Sequence, residues 1–243
     1  GEDLIQHIKK CDDCLKFKTR SQKAPMESIV TTHPLELVHM DYLTIESPKD
    51  NTKDVNVLII TDHFTRYAQA YVTPNQTAET TARVMWEKYL VHYGFPEKIL
   101  TDQGKNFESK LIKELCDVAK VKKLRTTPYH PQCNGQAERF NQTLISMIGT
   151  LNQKTKSKWP EMVSTLVHAY NCTGSHTTGF SPYFLMYGRH PKLPIDHFFN
   201  VHTPDLTGKS QKQFAHRLAE RLKWAYDRAK ETQAKSAKRA EDA

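Results

Sequence analysis

Three acidic residues are the side chains of this chain best suited to chemistry. Asp41 lies in LELVHMDYLTI, Asp102 in KILTDQGKNF and Glu138 in YHPQCNGQAERFNQTL, with 60 and then 35 residues between them. Two divalent metal ions about 3.5–4 Å apart can activate a nucleophile and neutralise the leaving oxygen of a phosphodiester. Because Mg²⁺ and Mn²⁺ prefer hard oxygen ligands, a few convergent carboxylates suffice. The three acids therefore predict metal-dependent chemistry on nucleic acid.

The local sequence places each acid on a different element. Asp41 is flanked by apolar residues in a predicted strand, and a half-buried acid needs a partner such as a metal ion. Asp102 follows the predicted strand Lys98–Thr101, and Gly104 permits a sharp turn after it. Glu138 lies in the first turn of a predicted helix, where a negative charge is favourable. Taken singly, each acid is also compatible with an ordinary solvated charge.

The hydrophobic pattern predicts the elements that must position these acids. Strands are expected at Leu35–Ile45, Val55–Ile60, Thr65–Val72, Lys98–Thr101 and Lys122–Thr126. The turn at Asp62 makes the second and third strands a hairpin, and Asp62 is interpreted as structural. Helices are expected between Thr77 and Gly94, and at Phe107–Ala119, Gly135–Asn152, Trp159–Tyr170 and Gln211–Ala240. Phe180–Leu193 reads as a mixed apolar and turn segment. This order predicts an α/β fold with a mixed five-stranded sheet.

Composition limits the classes of protein to consider. Lys and Arg number 35 against 27 Asp and Glu, so the net charge is +8, which favours a polyanionic partner. Five cysteines without disulfide-framework spacing favour a reducing compartment over secretion. No apolar run approaches the roughly 18 residues of a membrane span, so no membrane partner is expected.

Longer segments around the acids resemble a known family. The segments TDHFTRYAQAY, HYGFPEKILTDQGKNF, TTPYHPQCNGQAERFNQTL and TTGFSPYFLMYGRHP occur in this order. They resemble retroviral and gypsy-type LTR-retrotransposon integrases, the gypsy branch especially, from about Cys11 to Ile195. Asp41, Asp102 and Glu138 match the D,D-35-E triad of that family. The resemblance implies an RNase H-like core, here followed by a basic C-terminal helix.

The resemblance also implies a reaction. Asp41 and Asp102 would bind one Mg²⁺ or Mn²⁺ ion, and Asp41 and Glu138 a second. Water would trim the 3′ end of the element's DNA, and the freed 3′ hydroxyl would attack a target phosphodiester in strand transfer. The partners implied are double-stranded DNA and further copies of the chain, as a dimer or tetramer. The expected location is the nucleus, with a cytoplasmic phase.

DNA contacts are expected from the loop before the catalytic helix and from a basic cluster. By position in the family, the loop supplies Tyr129, Gln132 and Asn134, with His130 beside them. Asn141 lies about one turn beyond Glu138 on the same face of the helix and is expected to reach the same DNA. The basic cluster just before the loop consists of Lys122, Lys123 and Arg125, which could neutralise phosphates. An ordinary proline-shaped loop and a solvated charged face are the alternatives for these two groups.

The N-terminal segment carries half of a possible zinc site. Cys11 and Cys14 have the spacing of one ligand pair, and the family completes such a site with an upstream His pair that this chain lacks. Zn²⁺ is therefore expected only if that pair is supplied, and the chain is interpreted as a fragment. The expected organisation is a zinc-module remnant and linker over 1–30, a catalytic core over 31–195, and a linker and basic helix over 196–243.

Two alternatives to an active integrase remain at this point. One is a domesticated or truncated integrase-derived module that binds DNA or protein without catalysis. The other is an RNase H-type nuclease, against which the 35-residue spacing and the PYHPQCNGQAER segment argue. Metal-dependent activity would discriminate the active enzyme from the binding module.

Overall fold

A mixed five-stranded sheet forms the centre of the fold. The computed structural model describes residues 29–48, 53–126, 135–193 and 211–241. The strands are β1 (Leu37–Glu46), β2 (Asp54–Asp62), β3 (Ala68–Thr73), β4 (Lys98–Thr101) and β5 (Lys122–Arg125). Their order is β3-β2-β1-β4-β5, with β1, β2 and β3 antiparallel and β4 and β5 parallel to β1. The predicted mixed sheet and the β2–β3 hairpin are confirmed.

The register of the sheet brings two of the three acids together. In the parallel pair β1–β4, Met40 lies opposite Thr101. Asp41 and Asp102 are the next residues on their respective chains. Because neighbouring strands lie about 4.8 Å apart, these two acids are neighbours at the same end of the β1–β4 pair.

The helices largely follow the predicted boundaries. They are α1 (Ala78–Val84), a π-helical continuation (Met85–Leu90), α2 (Val91–Tyr93), α3 (Lys110–Val118), α4 (Gly135–Gly149), α5 (Gln153–Lys156), α6 (Trp159–Cys172), α7 (Pro182–Tyr187) and α8 (Gln211–Glu241). Thr77 caps α1 by accepting the Thr80 N–H, as its sequence position predicts. Helix α3 begins later than predicted, because the Ser109 side chain caps it by accepting the Ile112 N–H.

Helices cover both faces of the sheet. Side chains alternate along β2, so Leu58 and Ile60 enter one core while Val57 and Ile59 enter the other. The first core also contains residues of α3 and of the helix that begins with α1. The second core contains Phe140, Leu144 and Ile148 of α4, together with residues of α6. Helix α4 is thus fixed against the sheet by the apolar stripe that its sequence predicts.

Two buried polar side chains secure the sheet edges. Asn171 of α6 accepts the Ala68 N–H at 2.9 Å and donates to the Ala68 carbonyl at 2.8 Å, which ties α6 to β3. Asp62 accepts hydrogen bonds from the backbone of Leu35 (2.8 Å) and from both the backbone and the hydroxyl of Thr65 (2.7 Å each). The structural interpretation of Asp62 therefore agrees with its contacts.

The basic C-terminal helix α8 packs on a third, smaller core. Ala225 and Ala229 are fully buried against Phe64, Phe184 and Leu185. The Gln233 amide donates to the Phe64 carbonyl at 2.7 Å. Helix α7, which supplies two of these residues, was not predicted from the sequence. None of the helices in the described ranges is long and apolar enough to cross a membrane.

Candidate active site

Asp41 is held in the sheet by two hydrogen bonds. It lies on β1 opposite Ile59, and its side chain is half-buried. Oδ1 accepts the backbone N–H of Tyr42 at 2.9 Å, and Oδ2 accepts the Asn141 amide at 2.9 Å. A strand backbone and two donors fix the direction of this carboxylate before any ligand arrives.

The other two acids contribute to the electrostatic environment of Asp41. Burial raises the pKa of the Asp41 carboxyl, and the negative charges of Asp102 and Glu138 raise it further. The bonds from Asn141 and Tyr42 act in the opposite direction, since they stabilise the ionised form. The three acids thus share one electrostatic environment, although 60 and 35 residues separate them in the sequence.

A tight turn orients Asp102 at the end of β4. Its Oδ1 accepts the Gly104 N–H at 2.9 Å, and its carbonyl accepts the Thr101 hydroxyl at 2.9 Å. A Cβ at residue 104 would lie 3.0 Å from Asp102 Oδ1 and 2.7 Å from Asn106 Oδ1. A side chain at residue 104 would therefore force both the Asn106 amide and the Asp102 carboxylate to shift.

Glu138 and Asn141 extend from the same helix toward Asp41. Glu138 is exposed in the first turn of α4, where the helix dipole favours its charge. Asn141 lies three residues later and is only 9% exposed. Its amide is bonded to Asp41 and so positions that carboxylate. The predicted contact between Asn141 and DNA stays a prediction.

The donor set suits a divalent cation. The three acids supply hard oxygen ligands, and a cation would relieve the repulsion that raises the pKa of Asp41. Within the described ranges, no three His, Cys, Asp or Glu side chains are already gathered as the ligands of one ion. Glu138 is exposed and so has room to change rotamer.

The basic cluster after α3 is only partly available to a phosphate. The Lys123 ammonium donates to Glu108 Oε1, and its side chain is 12% exposed. Arg125, at 68% exposure, lies 3.9 Å from the other Glu108 oxygen, and Lys122 is exposed. In this structure Lys123 is paired with Glu108, and its predicted phosphate contact stays a prediction.

Several predicted site residues lie outside the described residues. These are the loop residues Tyr129, His130, Gln132 and Asn134 and the cysteine pair Cys11 and Cys14. Their roles remain predictions. The bond between Asn141 and Asp41 was not predicted, although its signal is present: Asn141 is one helical turn from Glu138, on the same side of α4.

Comparison with known proteins finds a family model that matches the segment around two of these acids. Residues 31–131 match the model described as "Integrase core domain". The matched range includes Asp41 and Asp102, and Glu138 lies seven residues beyond its end.

The relatives that this chain matches are polyproteins of retroelements and retroviruses. The chain is 29% identical over 229 residues to the "Retrovirus-related Pol polyprotein from transposon 412" of Drosophila melanogaster, covering 93% of this chain and 18% of that protein. It is 27% identical over 223 residues to the "Pro-Pol polyprotein" of Feline foamy virus, covering 91% and 19%. The chain thus spans less than a fifth of these relatives, and the predicted resemblance is confirmed.

Solved structures of retroviral integrases share this fold. The simian T-cell lymphotropic virus intasome in complex with PP2A regulatory subunit B56 gamma matches with a TM-score of 0.60 and 18% identity, over 86% of this chain and 72% of that chain. The HTLV-2 integrase catalytic core domain in complex with magnesium, in a trimeric form, matches with a TM-score of 0.50 and 16% identity, over 63% and 97%. The predicted fold class is confirmed.

Proposed function

We propose that this chain is an integrase that carries out metal-dependent 3′-end processing and strand transfer of retroelement DNA. One observation carries the proposal: the parallel register of β1 and β4 sets Asp41 beside Asp102, and the hydrogen bond from Asn141 to Asp41 holds the helix that carries Glu138 against the same strand. The match to retroelement polyproteins supports DNA as the substrate. A net charge of +8 suits a polyanionic substrate as well.

Each acid has a separate role in this proposal. Asp41 and Asp102 would hold one Mg²⁺ or Mn²⁺ ion, and Asp41 and Glu138 a second. Bound there, such ions activate a water or 3′ hydroxyl and neutralise the leaving oxygen. Asn141 and the Tyr42 N–H keep the Asp41 carboxylate directed into the site. The turn at Gly104 does the same for Asp102.

The partners follow from the reaction. Concerted joining of two DNA ends requires more than one active site, so we propose a dimer or tetramer on double-stranded DNA. The structural neighbours include an intasome and a trimeric core in complex with magnesium, which supports an oligomer and a divalent cation. Arg125 is an exposed cation opposite Thr101, next to Asp102, and would meet a DNA backbone there, whereas Lys122 is exposed at the other end of β5. We place this activity in the nucleus, after a cytoplasmic phase.

Strand transfer on labelled oligonucleotides with Mn²⁺ tests the proposal. Glu138→Gln keeps the size of the side chain and removes its charge, so strand transfer should fall to background while DNA affinity stays within about twofold. Glu161→Gln is the matched control, because Glu161 also lies in the first turn of a helix, away from Asp41. It should retain wild-type activity.

The same assay separates the proposal from its alternative. Equal activity of wild type and Glu138→Gln would show that the acid assignment is wrong. A folded wild type that binds DNA without any strand transfer would favour the integrase-derived binding module.

A further inference from the structure

A cysteine and a histidine lie side by side at the C-terminal end of α6. Cys172 is the last residue of this helix, and His168 lies four residues, about one turn, before it. The Cys172 sulfur is 3.5 Å from Nε2 of the His168 ring and 3.9 Å from Nδ1. His168 is exposed and Cys172 is half-buried, so solvent reaches the pair. This helix end packs on β3, which β2 separates from the strand that carries Asp41. The pair is therefore distinct from the candidate active site.

The helix segment that presents this pair is held firmly. Val167 and Asn171, which directly precede His168 and Cys172 in the chain, are both buried. The Asn171 side chain is hydrogen-bonded to both backbone groups of β3 residue 68, at 2.9 and 2.8 Å. The His168 ring also packs edge-to-face on the Tyr183 ring, with 6.2 Å between the ring centroids. The backbone of the pair is therefore fixed before a ligand arrives, as a precise binding site needs.

The distance between the two side chains suits a tetrahedral metal ion. Zinc binds sulfur at about 2.3 Å and imidazole nitrogen at about 2.0–2.1 Å, so in a tetrahedral site these two ligand atoms lie about 3.6 Å apart. The Cys172 sulfur and His168 Nε2 are 3.5 Å apart. Two ligands four residues apart on one helix face are also the arrangement with which helices hold zinc. Because the pair lies in the last turn of α6, the negative end of the helix dipole favours a cation there.

We propose that Cys172 and His168 bind one divalent cation of the zinc class. A thiolate and an imidazole are ligands that Zn²⁺ prefers, whereas the three acids offer the hard oxygens that suit Mg²⁺ or Mn²⁺. No third His, Cys, Asp or Glu side chain of the described ranges joins the pair, so water fills the remaining positions around the ion. Burial raises the pKa of the Cys172 thiol, which is therefore protonated at neutral pH. The S–H bond breaks as the bond from sulfur to metal forms, and the proton passes to the buffer.

Titration of the whole chain with Co²⁺ tests the site by absorption spectroscopy. Cobalt can take the place of zinc, and its bond to sulfur produces a charge-transfer band that carboxylate ligands do not produce. Every sample carries Cys11→Ser, Cys14→Ser and Cys133→Ser, so that Cys172 and the buried Cys116 are the remaining thiols. This background protein should show a saturable sulfur-to-cobalt band with one Co²⁺ per chain, and Zn²⁺ should abolish the band. Cys172→Ser should lack it.

His168→Gln should weaken Co²⁺ binding at this site at least about tenfold, since even the loss of a group behind a metal ligand costs roughly 10- to 100-fold in affinity. His92→Gln is the matched control, because His92 is also an exposed helical histidine beside a tyrosine ring, and it should bind Co²⁺ as the background protein does.

Three results would each overturn the proposal: no sulfur-to-cobalt band in the background protein at saturating Co²⁺, a band that persists in Cys172→Ser, or an unchanged Co²⁺ affinity in His168→Gln. Asp41→Asn in the same background should leave the band unchanged. Because no measurement here depends on strand transfer, failure of the proposed catalytic function would leave this result unaffected.

Discussion

Asn141→Ala probes the electrostatic arrangement around Asp41 most selectively. The substitution removes the donor that lies 2.9 Å from Asp41 Oδ2, in a residue that is only 9% exposed. A hydrogen bond to a charged group contributes about 1.5–3 kcal/mol, and one to a neutral group about 1 kcal/mol. Because Asp41 is only half-buried, water can partly replace the donor, so we expect a loss near the lower value, about 1.5 kcal/mol, when Asp41 is ionised.

The cost of this substitution should depend on pH with a defined sign. The pKa of Asp41 is raised in the folded state, so folding favours its neutral form. The stability that this preference contributes is lost as pH rises through the folded-state pKa. The Asn141 bond lowers the pKa, so the variant has a folded-state pKa that is higher still. The stability difference between wild type and variant should therefore grow as pH rises, from about 1 kcal/mol to about 1.5 kcal/mol or more.

Urea denaturation measures this difference in free energy of unfolding between wild type and Asn141→Ala. The proteins are kept metal-free with EDTA and are compared near pH 4 and near pH 7.5. Asn171→Ala is the matched control, because Asn171 is also a buried amide and its partners are the neutral backbone groups of Ala68. The difference in free energy of unfolding between wild type and Asn171→Ala should be the same at both pH values. If Asn141→Ala lowers the free energy of unfolding by the same amount at both pH values, the proposed bond from Asn141 to an ionisable Asp41 is refuted.

Three further substitutions test the supporting structure. Asn171→Ala leaves both backbone groups of Ala68 without their partner. Urea denaturation should show a free energy of unfolding that is lower by about 2–4 kcal/mol, and a decrease of less than roughly 1 kcal/mol would contradict this role of Asn171. Gly188 has a φ of +69°, and a Cβ at this residue would lie 2.6 Å from the Leu218 side chain of α8. Gly188→Ala should therefore detach α8 and change the fluorescence of Trp224, and an unchanged spectrum would argue against this packing. Gly104→Ala should lower strand transfer roughly 10- to 100-fold by displacing the Asp102 carboxylate, with little change in Tm; wild-type activity would show that the turn is not needed.

Local patterns in the sequence account for most of the fold. The strand predicted at Lys98–Thr101 is found with the same ends. The apolar stripe of α4 is also correct, since Phe140, Leu144 and Ile148 are buried in the core. These features depend on periodicity and capping, which act over a few residues. Helix α7 was missed because its six residues, PYFLMY, are too few and too uniformly apolar to show a helical period.

Contacts between distant residues explain what the sequence could not predict at the site. The Asn141–Asp41 bond joins residues 100 positions apart, and the Lys123–Glu108 pair depends on how α3 packs beside β5. Such pairings follow from tertiary packing, which no local pattern encodes.

Anomalous diffraction from crystals soaked in Mn²⁺ tests the central claim, that the three acids are metal ligands, most directly. We predict anomalous density bonded to the carboxylates of Asp41 and Asp102 in wild type, with a second site at Asp41 and Glu138 when DNA is bound. Asp41→Asn crystals should lack both. Density bound elsewhere in wild type, with these carboxylates uncoordinated at saturating Mn²⁺, would contradict the account.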